Sequence, residues 1–166
     1  MPCSSARGLA TSSAQNNDPE ITLPCKANIE VKIGYDGIVM ASGVVLRSES
    51  GEADCVTVDC GNSGTGIVCA AVDSTASIEG FTITGGAYTN NNTSNRLQPY
   101  ASGGGGLYLR EAEVELVDCV VTANAAYGSN VNGANHISNN AKGGGVFTRC
   151  SVLTLTRSAV TGNIAE

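Results

Sequence analysis

The sequence contains no tryptophan, two phenylalanines, five tyrosines and a single histidine in 166 residues. A core built on large aromatic rings is therefore excluded, and packing falls to small and β-branched side chains. Runs of Ala, Leu, Glu and Lys are also missing, so no amphipathic helix of ordinary length is expected. Nine Lys and Arg stand against fifteen Asp and Glu, for a net charge of -6. The basic residues are scattered, which excludes nucleic acid as a partner, because phosphate binding needs clustered cations. No apolar run approaches the ~20 residues that cross a bilayer as a helix. Residues 1–20 are polar and lack the apolar stretch of a signal peptide.

What is present is 42% hydrophobic residues, 21 glycines and abundant Asn, Ser and Thr. This composition favours one folded domain of many short strands and tight turns. Seven cysteines (Cys3, Cys25, Cys55, Cys60, Cys69, Cys119, Cys150) are many for a reducing compartment. An oxidising setting is expected, with the chain as a fragment of a longer exported protein. Seven is odd, so at least one thiol is unpaired or bonded to another chain.

Internal periodicity carries the fold. Residues 76–86 (ASIEGFTITGG), 114–124 (VELVDCVVTAN) and 153–163 (LTLTRSAVTGN) align without gaps, offset by 38 and then 39 residues. Ala76, Val114 and Leu153 share a column, and Ile78, Leu116 and Leu155 follow two positions on, placing both columns on one strand face. The next inward columns are Phe81, Cys119, Ser158 and then Ile83, Val121, Val160. The phase slip between them marks a corner, and the Thr-Gly-Gly, Thr-Ala-Asn and Thr-Gly-Asn tails mark a turn. Stacked Asn side chains at this turn can bond along the repeat axis. Upstream, glycines lead into Leu107–Leu109 and Val146–Thr148, a third short strand. The predicted architecture is all-β, a right-handed parallel β-helix with three short strands per coil. An antiparallel sandwich also recurs in strands, but does not require the same column chemistry three times.

Residues 21–166 form this domain, preceded by a flexible leader over 1–20. Asn-, Ser- and Gly-rich insertions over 87–102 and 125–142 interrupt it at the same point of the coil. Ile29–Ile33, Val44–Leu46, Val56–Val58 and Ile67–Cys69 supply the first coils. The domain is expected to be C-terminally truncated or uncapped, so that further coils or a cap complete it.

Residues 46–51 (LRSESG), 58–61 (VDCG) and 78–86 (IEGFTITGG), with the two Gly-Gly-Gly to Thr-x-Asn units, resemble the β-helix repeats of the pectate-lyase-like superfamily. The chlamydial polymorphic outer-membrane proteins belong to that group. The resemblance covers roughly residues 29–166 and implies the fold and an extracellular or cell-surface setting.

An enzyme of this fold acting on acidic polysaccharide would need carboxylates to hold calcium or move protons, with an Arg or Lys facing the substrate. Asp54 and Asp59 can share a site, but Asp in a turn is the commoner role. Asp118 and Arg157 share a column one repeat apart and read as a surface ion pair. His136 has no second His and sits in an insertion, which argues against zinc. The Gly103–Gly106 run lacks the Lys and hydroxyl of a phosphate loop and leads into a strand. No Cys-x-x-Cys exists. Cys55 and Cys60 are close enough to bridge a turn, and Cys119 points into the core as a small apolar group. Asn91 and Asn92 begin glycan-acceptor patterns.

No catalytic, cofactor-binding or metal residue is assigned. The expected function is a non-catalytic secreted or cell-surface β-helix protein, structural or adhesive, with a glycan or cell-surface partner and no cofactor. The alternative is a polysaccharide lyase or glycoside hydrolase of this fold, or a fragment of one. A Thr array for ice binding (Thr82, Thr84, Thr154, Thr156) is broken by Val120 and Glu115 in the middle repeat.

Overall fold

The computed structural model describes residues 20–25, 28–30, 37–90, 103–128 and 142–166. These residues form strands and turns with no helix, hence none long and apolar enough to cross a membrane. The first sheet runs β1 (Glu20–Leu23), β4 (Val45–Ser48), β7 (Ala76–Glu79), β11 (Glu113–Val117), β15 (Val152–Thr156). The second runs β3 (Ile38–Met40), β6 (Ile67–Ala70), β10 (Leu107–Arg110), β14 (Val146–Arg149). The third runs β2 (Asn28–Glu30), β5 (Val56–Asp59), β8 (Phe81–Thr84), β12 (Val120–Thr122), β16 (Ala159–Thr161). The fourth runs β9 (Ala87–Asn90), β13 (Ala125–Gly128), β17 (Ile164–Ala165).

Every strand pair is parallel, and each sheet holds its strands in chain order, so each repeat is laid on the one before it. The sheets stay separate. Among the described residues, the bridge outside the named strands, Gly64 to Ala87, is antiparallel. The register reproduces the sequence columns: Ala76, Val114 and Leu153 pair in line, as do Ile78, Leu116 and Leu155. Ile83, Val121 and Val160 do the same in the third sheet.

Two expectations change. The repeat carries a fourth strand, because the first residues of the two insertions pair with one another, Ala87 with Ala125, and Ala125 pairs in turn with Ile164 of the last repeat. Their Ala, Tyr, Thr and Asn lack the apolar alternation that marks the other strands, and their polar composition reads as loop. In addition, β3 forms where no strand was expected, and β1 starts at Glu20, within the expected leader. The leader is otherwise outside the described residues.

The core is the inward columns. Val56, Val58, Ile67, Ile78, Phe81, Ile83, Leu107, Leu109, Leu116 and Val121 are fully buried. Each such side chain contributes roughly 1.5–3 kcal/mol relative to exposure, which compensates for the scarcity of aromatics.

Corners use left-handed backbone in register. Ala71, Glu111 and Cys150 turn the chain from the second sheet to the first, with φ of 54°, 50° and 51°. Gly80, Asp118 and Arg157 turn it from the first to the third, and Gly85, Ala123 and Gly162 from the third to the fourth. A non-glycine residue there costs about 1–2 kcal/mol, so the corners are held by the ladders on either side. Gly80 has a second constraint, since a Cβ would fall 2.5 Å from the Gly51 carbonyl carbon.

Candidate functional site

The turn between the third and fourth sheets brings together the polar ladder and a surface depression. Asn124 is 1% exposed and fully engaged. Its Nδ2 donates to the carbonyls of Ile83 (3.0 Å) and Thr122 (2.9 Å) and to Asn163 Oδ1 (3.0 Å). Its Oδ1 accepts from Gly86 N–H at 2.8 Å. Asn163 repeats the pattern, donating to Val121 and Thr161 carbonyls at 2.9 and 3.0 Å. The expected stacking of Asn side chains along the axis is present between these two residues. The glycine runs serve this packing: a Cβ on Gly106 would lie 2.8 Å from Asn124 Nδ2 and 2.6 Å from the Gly145 carbonyl. Gly103–Gly106 is thus a site of close backbone approach.

Over this turn lies an open groove of about 470 Å³, lined among others by Asn62, Ala87, Ala125, Tyr127, Gly162 and Ile164. Tyr127 is 41% exposed and Ile164 49%. A tyrosine ring, small apolar residues and an amide among the lining can stack a flat apolar face and bond its polar edge. Among the described residues that line the groove none carries a carboxyl, imidazole or amine; those present can hold a ligand by stacking and hydrogen bonding. Sequence reading missed the groove because its strand was read as loop; the Ala-Tyr pairs of residues 87–88 and 126–127 lie one position out of register and give no shared column beyond Ala87 with Ala125.

Two of the carboxylates singled out from sequence, Asp59 and Asp118, are bonded into the scaffold. Asp59 Oδ1 accepts from Gly61 N–H at 2.9 Å, a turn role, and Asp54 is exposed. Asp118 and Arg157 form a two-pronged pair, with Arg157 Nε donating to Oδ1 at 2.7 Å and Nη2 to Oδ2 at 2.6 Å. Arg157 holds the Asp118 carboxyl below its ordinary range. Any contribution from the pair is present above the usual carboxylate pKa and lost as pH falls through the depressed one. We expect Asp118 to titrate below free aspartate by NMR and to return toward it in Arg157→Gln; an unchanged midpoint would disprove the coupling. Arg47, not singled out, bridges Glu79 at 2.7 Å and Glu20 at 3.3 Å. Among the described residues no three His, Cys, Asp or Glu are placed to hold a metal ion. His136, Asn91 and Asn92 lie outside the described residues.

The cysteines differ from one expectation. Cys55 pairs with Cys25, thirty residues away, and not with Cys60. Cys60 follows a strand that carries it inward, where it is buried and free, with Cys69 and Cys119. Cys150 is disulfide-bonded. Desolvation pushes the thiols of Cys60 and Cys69 up to about 12, and burial raises Cys119 as well. Reactive thiolate is therefore scarce near neutrality. Iodoacetamide at pH 8 should leave all three unmodified in the folded chain and label them in denaturant, by mass spectrometry. Labelling of native protein within minutes would contradict this burial.

No protein-family model, no curated protein and no solved structure matches the chain.

Proposed function

We propose that the stacked repeats form a right-handed parallel β-helix of the pectate-lyase-like kind, working as a non-catalytic secreted or cell-surface protein that contacts glycan. Handedness follows from the general rule that crossovers between parallel strands of one sheet are right-handed. Each sheet here is re-entered after strands of the others. The Cys25–Cys55 disulfide supports an oxidising compartment.

The observation that carries the functional reading is the use made of the groups at issue. Asp59 is bonded into a turn and Asp118 into an ion pair, while the groove offers Tyr127 and Asn62. This set favours holding a sugar ring over cleaving a glycosidic bond. Stacking on a tyrosine suits sugar C–H faces, and an amide suits hydroxyl groups.

The test is binding of the purified chain to a panel of glycans and pectic polymers, with product release followed in parallel. Binding lost in Tyr127→Ala and Asn62→Ala, without products, is the expected result. Turnover that survives both changes would replace this reading with the enzymatic one.

A further inference from the structure

The turn that carries Asn62 into the groove is tied down on several sides. Cys60 N–H donates to the Thr84 carbonyl at 2.9 Å, Ser63 N–H to the Cys60 carbonyl at 3.0 Å, and Ala87 N–H to the Gly64 carbonyl at 3.1 Å. Between these ties Asn62 takes a left-handed backbone, with φ of 59°, and stays exposed. Its carboxamide bonds nothing among the described residues. The strand that leads into the turn, β5, lies between β2 and β8, so this end of the groove sits within the stack.

Beside Asn62 stands a negative charge. Asp59 Oδ1 accepts from Gly61 N–H at 2.9 Å, and a Cβ on Gly85 would lie 2.7 Å from the same oxygen. The carboxylate is thus held between two turns, and the next residue of each, Asn62 and Gly86, lines the groove. It is half-buried and forms no ion pair among the described residues. Arg47, Arg110 and Arg157 are paired elsewhere, with Glu79, Glu111 and Asp118. A carboxylate in this position repels an anionic group entering the groove, over a range of about 10 Å at 0.1 M salt. A neutral ring meets no such repulsion, and its hydroxyls can donate to a carboxylate and accept from an amide.

We propose that the groove selects neutral sugars over acidic ones, and that Asp59 sets this preference by excluding uronate carboxylates from the Asn62 end. The inference rests on the glycan-holding reading of the groove and names the sugar class within it. The chain's net charge of -6 acts in the same direction at longer range, so a test must separate the local charge from the total.

The probes are sugar polymers in pairs that differ in their carboxylates: polygalacturonate and its methyl ester, oxidised cellulose oligomers and cellulose oligomers, mannuronan and mannan. In whichever pair binds the full chain, the neutral member should bind at least about fivefold more tightly at about 0.02 M salt, and the ratio should approach one at about 0.5 M. Asp59→Asn keeps an oxygen to accept from Gly61 N–H and removes the charge. It should bring the low-salt ratio to within about twofold. Glu113→Gln removes an equal charge from the exposed face of the first sheet and should leave the ratio where it was. Equal binding, a preference for the acidic member, or a preference indifferent to salt would overturn the proposal while the glycan reading stood. So would equal shifts from Asp59→Asn and Glu113→Gln, which would assign the effect to net charge. Binding of no member of any pair would remove the glycan reading and this proposal with it.

Discussion

Asn124→Ala is expected to destabilise the chain by about 3–5 kcal/mol, against about 1 kcal/mol for Asn163→Ala, although the two residues share a column and a bonding pattern. The difference is burial. Asn124 satisfies Gly86 N–H and the Ile83 carbonyl where water has no access. Removing the amide leaves both groups unpaired, at about 1–3 kcal/mol each, beyond the loss of the bonds to Thr122 and Asn163. Asn163 bonds the Val121 carbonyl and accepts from Asn124 N–H and Nδ2 in part-buried settings, and bonds the Thr161 carbonyl in an exposed one. Water can replace much of what is lost there. Urea melts of the two variants decide the matter; equal losses would mean that the ladder is not the seat of the stability. Asn124→Asp sharpens the test. A carboxylate cannot donate to the Ile83 and Thr122 carbonyls, whereas a protonated acid can donate to one of them. Its folded pKa should therefore rise, giving a variant whose stability is greatest below the unfolded pKa and is lost as pH rises through the folded one.

The ladder was legible in the sequence because Asn124 and Asn163 occupy one column of a gapless repeat. So were the inward columns, since Ile78, Leu116 and Leu155 repeat both their chemistry and their phase. The Asp118–Arg157 pair was legible for the same reason: a register, once fixed, decides which surface residues touch. The fourth sheet was not, because a strand of Ala, Tyr and Gly has no polarity alternation to announce it. Nor were the left-handed corners at Glu111, Asp118 and Arg157, where the residue type gives no conformational signal. Only the alignment of Asp118 and Arg157 with Gly80 hinted at it. The groove depends on the unread fourth sheet as well as on the turn at Ala123, so it could not be assembled from the sequence alone.

The cysteine pairing failed for a related reason, and it leads to the second large effect. Proximity in sequence favoured Cys55 with Cys60, but parallel stacking brings together residues a repeat apart, and Cys25 reaches Cys55 with a Cα separation of 4.5 Å. A cross-link closing about thirty residues restricts the unfolded chain by about 3–4 kcal/mol on the loop-entropy account. Reduction, or Cys25→Ala with Cys55→Ala, should lower stability by that amount. The damage should not be uniform. Repeats contact chiefly their neighbours, so the loss should fall first on β1, β4 and β5 and reach β15 and β16 last. Hydrogen exchange with and without reductant would display this gradient, with amides near Val45 and Val56 opening before those near Val121. A loss below about 1 kcal/mol would show that packing, not the cross-link, holds the first repeats. A uniform loss of protection would show that the repeats unfold as one cooperative unit. The graded outcome would also bear on where the chain can work: in a reducing compartment its first repeats would loosen, whereas an oxidising one keeps the whole stack in register.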